Sequence, residues 1–211
     1  MKKVLTTFAV GELHEAMLNV TLPSMARYAR DNDYCLYIPD FGEIYQDYCG
    51  RFASPSWAKI GTILRLFLRF EFVLWLDADV LPQQFDRDIA DDCTAPLSMV
   101  VHRTSDGEVP NCGVLAVRRC AEAKNLLDET LRHGARWQRS EHWWEQAEII
   151  AQLGGNPDAE RVAVPPGDLW RELPYTWNPH PCDDRGVDGT RFFHCTQYED
   201  RVGTLKKRAR C

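Results

Sequence analysis

No apolar run in this chain approaches the roughly 20 residues that a membrane-spanning helix needs. The opening stretch, MKKVLTTFAVGELHEAML, also lacks a sustained apolar core, because Glu12, His14 and Glu15 interrupt it too early for a secretory leader. A cytoplasmic protein is therefore expected. Positive charge is not in excess: 25 Lys and Arg against 31 Asp and Glu give a formal charge of −6. With no basic stripe crossed by aromatics in the body of the chain, a nucleic-acid partner is not expected. Closely spaced cysteine pairs are missing as well. The eight cysteines, at 35, 49, 93, 112, 120, 182, 195 and 211, form no CxxC. A chain of 211 residues buries enough core to need no staples, so free thiols are expected. Cys182, His194 and Cys195 do not have the spacing of a zinc knuckle. No internal repeat is visible.

What is present is ordinary for a folded protein: 45% apolar and 27% charged residues, with seven tryptophans. One domain is expected over 1–198, followed by a basic segment over 199–211. Its densest run, Lys206-Lys207-Arg208-Ala209-Arg210, reads as a solvated tail. Weak peripheral contact with an anionic membrane is the functional alternative.

The order of elements predicts an α/β fold, a mixed and mainly parallel sheet flanked by helices. Lys3–Phe8 reads as a strand, and 13–30 as a helix with Pro23 inside it. A second strand is predicted over 34–38. The apolar recurrence at Trp57, Ile60, Leu64, Phe67 and Leu68 predicts a helix over 55–70, with Lys59 and Arg69 outside its apolar face. Further strands are expected over 72–80, 97–101 and 111–117, and helices over 121–133 and 143–153. A last edge strand is expected at Arg191–Cys195. Between Gly154 and that strand the chain reads as loop.

The run Phe72-Val73-Leu74-Trp75-Leu76 leads straight into Asp77-Ala78-Asp79. Five apolar residues without alternation indicate a strand covered on both faces. Ionised carboxylates are costly to bury. Asp77 and Asp79 are thus expected at the strand's C-terminal end, in the crevice where open α/β sheets bind ligands. If the strand persists, alternation places both on one face. Two hard oxygen ligands suit Mg²⁺ or Mn²⁺ carrying a polyphosphate.

Later residues carry weaker signals. Asn111-Cys112-Gly113 reads as a tight turn or as a donor–acceptor group with room for a ligand. Trp143-Trp144-Glu145-Gln146 reads as a helix start with buried indoles, or as a carboxylate and an amide placed near a sugar. His194 reads as structural, or as a third metal ligand beside the two aspartates.

Taken in order, WAKIGTILRLF, FVLWLDADV, NCGVLAVRR, WWEQ, LPYTWN and RFFHC resemble the GT-A type glycosyltransferases. They look most like the galactosyl/xylosyltransferase group related to the yeast mannan polymerase components, or the glycogenin-like group. The resemblance implies a Rossmann-like GT-A domain that moves a sugar from a nucleotide-diphosphate sugar, a UDP-sugar above all. The acceptor would be a hydroxyl of a carbohydrate or glycoconjugate, and the metal Mn²⁺ or Mg²⁺. It implies that Thr6, Thr7 and Phe8 line the nucleotide pocket and that Asp77 serves ribose or metal. Asp79 and His194 would bind metal, while Asn111 and Gly113 would border the donor sugar. Glu145 and Gln146 would stand at the reacting carbon, and Lys59 would touch the diphosphate unless it is a surface lysine. Two departures stand out: Glu145 replaces the Asp common in the acidic-residue–Gln pair, and the His-x-x-Gly-x-Lys ending of glycogenin-like enzymes is absent.

The groups resembled retain configuration, which needs no protein nucleophile; Gln146 and Glu145 would then stabilise developing positive charge. An inverting enzyme would instead use Glu145 as general base. A sugar-phosphate nucleotidyltransferase is the nearest enzymatic rival. It calls for a Gly-rich basic loop, whereas Thr6–Glu12 has one glycine and no basic residue. A non-catalytic carbohydrate-binding protein would stack sugar on Trp143, Trp144, Trp177 and Phe193.

Overall fold

The computed structural model describes residues 1–40, 42, 54–137, 143–183, 185–186 and 188–210. Gln138, Cys49 and Cys211 lie outside the described residues. Eight strands and five α-helices are found among them: β1 Lys3–Thr6, α1 Glu12–Asp31, β2 Tyr34–Tyr37, α2 Ala58–Leu66, β3 Phe72–Leu76, β4 Val80–Pro82, β5 Leu97–Thr104, β6 Gly107–Arg118, α3 Ala121–His133, α4 Glu145–Gln152, β7 Trp170–Glu172, β8 Phe192–His194 and α5 Arg201–Arg208.

Six strands form one sheet in the order β2-β1-β3-β6-β5-β7. β1 runs parallel to both β2 and β3, and β5 parallel to β7. Only β6 is antiparallel to its neighbours, β3 and β5. The sheet is thus mixed and mainly parallel, as the sequence predicts. All five residues of β3 are buried, which its unbroken apolar run requires of a strand covered on both faces. Helices α2 and α3 cover one face, where Ile60, Ile63, Leu126 and Leu127 pack with Val73, Trp75 and Leu115. On the other face Met25 and Tyr28 of α1 pack with Leu5, Leu74 and Trp177.

The differences from expectation have physical causes. β3 stops at Leu76, and residues 77–79 turn, with Val80 N donating to Asp77 O at 2.9 Å. The β5–β6 hairpin is longer than predicted, with only Ser105 and Asp106 between its strands. β7 falls where the sequence reads as loop, since three residues carry no period. β8 does not join the main sheet: it pairs antiparallel with β4, Val80 opposite His194. The segment from 199 is not a free tail. Asp200 caps α5 by accepting from Gly203 N at 2.8 Å. Leu205 is buried with Met17, Leu81 and Phe193, while Lys206 and Lys207 stay exposed. No helix among the described residues is long and apolar enough to cross a membrane. The six described cysteines are free.

Candidate active site

The turn after β3 and the strand β8 meet because β4, which follows the turn at once, pairs with β8. That pairing carries His194 to the aspartates. One ligand atom each from Asp77, Asp79 and His194 lies within 4.8 Å of the others. Alternation along a strand does not bring the carboxylates together; the turn does.

Each member of the trio is oriented. His194 Nδ1 donates to Asn178 Oδ1 at 3.0 Å, leaving Nε2 3.4 Å from Asp79 Oδ1. Burial alone would lower the His194 pKa, but the carboxylates of Asp79 and Asp77 raise it. Asp79, 4% exposed, also pairs with Arg201 of α5. Against the upward push of burial, His194 and Arg201 hold its carboxyl well below the usual carboxylate range. Asp77 Oδ1 accepts from Trp75 Nε1 at 2.6 Å and lies 3.1 Å from Lys59 Nζ.

Lys59 is not a surface lysine. Its side chain is 4% exposed, and Nζ lies 2.7 Å from Glu145 Oε1 and 3.0 Å from Cys112 O. Burial would lower its pKa, yet Asp77 and Glu145 raise it, so the ammonium is strongly held. It ties Glu145, itself buried, to Asp77. Gln146 is equally committed: its Oε1 accepts from Cys112 N at 2.9 Å and Asn111 Nδ2 at 3.4 Å. Asn111 Oδ1 accepts in turn from Gly113 N at 2.9 Å and Asn178 Nδ2 at 2.8 Å. An amide chain thus runs from Gln146 through Asn111 and Asn178 to His194.

These groups border a cavity of about 720 Å³, inside the range of roughly 300–1,000 Å³ common for ligand pockets. Phe8, Lys59, Asp77, Asp79, Asn111, Gly113, Glu145, Gln146 and His194 all line it. Thr6 and Thr7 do not: both are fully buried below it, their hydroxyls without a hydrogen-bond partner. Phe8 meets Trp75 edge to face, ring centroids 5.0 Å apart, on the cavity wall. Trp177 and Phe193, 0% and 2% exposed, belong to the core and cannot stack on a sugar.

The sequence assigns no role to Arg201, and it shows Asn178 only as the end of LPYTWN. Asn178 precedes a proline and looks like a turn residue; Arg201 sits near a basic run that looks solvated. Trp143 and Trp144 carry a second surprise, since both have φ of +52°. Bulky residues in the left-handed region cost about 1–3 kcal/mol each.

Gly113 owes its place to His194. A Cβ there would lie 2.3 Å from His194 Cε1 and 2.9 Å from Nδ1. Gly113→Ala is therefore expected to push the ring off Asn178 and to cost about 1–3 kcal/mol by overpacking in a thermal melt.

His102, buried on β5, donates from Nε2 to Asn178 O at 2.7 Å. Burial, helped by the charges of His194 and His180, pushes its pKa down to about 3. The folded imidazole is thus neutral, while the unfolded one titrates near 6.5. Stability from this group is complete above about pH 6.5 and falls as pH drops toward 3, by on the order of 1.4 kcal/mol per pH unit. His102→Gln is expected to flatten that fall in urea melts at pH 7 and pH 4.5. An unchanged slope would remove His102 as its source.

No family model matches the chain, and no curated protein matches it. Solved structures do. A glycosyltransferase involved in the glycosylation of the major capsid of PBCV-1 aligns with TM-score 0.67 at 17% identity, over 98% of this chain and all of that one. The galactosyltransferase LgtC, solved with donor and acceptor sugar analogs, aligns with TM-score 0.51 at 14% identity, over 98% of this chain and 95% of its own. Mouse xyloside xylosyltransferase 1 aligns with TM-score 0.52 at 11% identity, covering 93% and 98%. The chain has the GT-A fold of these glycosyltransferases.

Proposed function

We propose that the protein is a metal-dependent glycosyltransferase that moves a sugar from a UDP-sugar to a carbohydrate or glycoconjugate hydroxyl, with retention of configuration. The observation that carries this reading is the convergence of Asp77, Asp79 and His194 on the wall of a ligand-sized cavity. Two carboxylates and one oriented imidazole fit Mn²⁺ or Mg²⁺, with Mn²⁺ favoured by the nitrogen ligand. A bound cation supplies neutralisation of the charge that gathers on the departing diphosphate.

The chain's own residues do the rest. Phe8 and Trp75 offer an apolar wall to the nucleoside. Arg201, now paired with Asp79, is the cation placed to turn to the diphosphate. Asn111 and Gly113 border the donor sugar. In the transfer, the acceptor oxygen bonds to the anomeric carbon as the bond from that carbon to the diphosphate oxygen breaks. The electron pair leaves with the diphosphate, and the acceptor proton passes to a phosphate oxygen. Glu145 is a poor candidate for base or nucleophile because Lys59 holds its carboxylate. Glu145 and Gln146 instead fix the wall beside the reacting carbon, with Lys59 as a positioning residue.

Incubation with UDP-glucose, UDP-galactose, UDP-xylose and GDP-mannose, with and without Mn²⁺, tests the reading through released nucleoside diphosphate. Metal-dependent release from a UDP-sugar is expected; no release from any donor would reject it. Proton NMR of the product's anomeric centre tests retention, and an inverted product would return Glu145 to the role of base. Asn178→Ala frees His194 Nδ1 and is expected to weaken Mn²⁺ about 10–100-fold, as loss of a ligand's orienting partner does. Calorimetric titration measures this, and an unaltered affinity would dismiss Asn178 as orienter.

A further inference from the structure

We infer that the cavity wall built by Trp143, Trp144 and the β5–β6 turn is a binding site for an uncharged sugar ring, the acceptor of the proposed transfer. The inference rests on the reading above, because it names the acceptor class of the same cavity. Trp143 packs against Val109, Ile150 and Val162, and Trp144 against Trp57 and Ala147. Each indole is therefore backed by core on one side while it lines the cavity and stays half-buried. The residues that follow, Glu145 and Gln146, are pinned by Lys59 and by Cys112 N. Packing alone does not call for two consecutive tryptophans at φ +52°. Strain of this kind persists where the surroundings over-determine it, commonly at ligand sites. Here the backbone holds two aromatic surfaces at a cavity rim.

The rest of this wall selects the ligand. Thr104, Ser105 and Asp106 line it from the hairpin turn, and His102 and His180 stand beside them with ring centroids 4.8 Å apart. Burial holds both imidazoles below their ordinary pKa, so neither carries charge at neutral pH. Among the described residues, the Lys and Arg on the cavity wall are Lys59 and Arg201, both paired with carboxylates around Asp77 and Asp79. Among the described residues, a phosphorylated or carboxylated acceptor would find Asp106 on this wall and no unpaired Lys or Arg. An alkyl chain would bury the polar groups of Thr104, Ser105 and Asp106 without partners. A neutral sugar satisfies both halves of the wall: its C–H face meets indole and its hydroxyl edge meets hydroxyl, carboxylate and imidazole.

Indole N–H NMR signals provide the test, with Trp143→Phe and Trp144→Phe to assign the two resonances. Methyl β-glucoside, methyl β-galactoside and methyl β-xyloside are added first to the protein alone and then with UDP and Mn²⁺. At least one glycoside is expected to shift the Trp143 and Trp144 signals while those of buried Trp57 and Trp177 stay in place. Trp143→Leu or Trp144→Leu, which keep bulk but remove the aromatic face, should weaken that glycoside at least tenfold more than they weaken UDP. The inference is overturned if no glycoside moves either indole in both conditions. It is equally overturned if a Ser/Thr peptide moves them instead, or if both Leu variants bind the glycoside as the native protein does. Failure of the donor reading shows separately, as absence of Mn²⁺-dependent UDP binding in the same samples.

Discussion

Asp79→Asn is expected to abolish Mn²⁺-dependent UDP binding and leave the sheet folded. The amide preserves the shape of the buried side chain but removes the charge that faces His194 Nε2 at 3.4 Å and pairs with Arg201. In the proposed site Asp79 is a direct metal ligand, so its loss should cost more than about 100-fold in affinity, beyond the range for an outer-shell partner. Stability should fall less dramatically. Arg201 is 27% exposed and recovers water when unpaired, so about 1–2 kcal/mol is expected rather than the cost of a stranded buried charge. Calorimetry with UDP at increasing Mn²⁺, set beside a thermal melt, separates the two effects. A variant that binds UDP with native metal dependence would remove Asp79 from the metal site.

The largest loss of stability is expected from Lys59→Met. Lys59 and Glu145 are 4% and 5% exposed at their side chains, so removing the ammonium strands a buried carboxylate. Breaking a buried pair in this way costs about 3–5 kcal/mol. At roughly 2–4 °C per kcal/mol for a domain of this size, Tm should drop by about 6–20 °C. Lys59→Met/Glu145→Gln removes the stranded charge and should recover more than half of that loss. A single variant that melts with the native protein would show that the buried Lys59–Glu145 pair does not stabilise the fold.

Lys59 also shows where sequence reading reaches its limit. Periodicity predicts a helix over 55–70 where one of Ala58–Leu66 is found, but it assigns faces by the polarity of each residue alone. A lysine buried against Glu145 comes from an element eighty-odd positions away and leaves no local trace. Strand β3 and helix α2 were legible because their evidence is local: an unbroken apolar run in one, a 3.6-residue recurrence in the other. The Asp77/Asp79 pair was legible as chemistry, although the turn that joins the carboxylates was not. Asn178, Arg201 and β7 were hidden for the same reason as Lys59. Each acquires meaning from a partner distant in the chain, Asn111 for Asn178, Asp79 for Arg201 and Met99 for Glu172 of β7.

That distance also bears on how the molecule is made. Asp79 and Arg201 are separated by 122 positions, and β4 reaches β8 across a comparable gap. Contacts of such high sequence separation incur loop-closure entropy before they stabilise anything, and they tend to form late in folding. The β1–β3 core and the β5–β6 hairpin can assemble from nearer neighbours while the corner that joins Asp79 to His194 is still open. Uptake of the proposed Mn²⁺ should therefore lag behind the recovery of tryptophan burial in a refolding experiment, reporting closure of that corner.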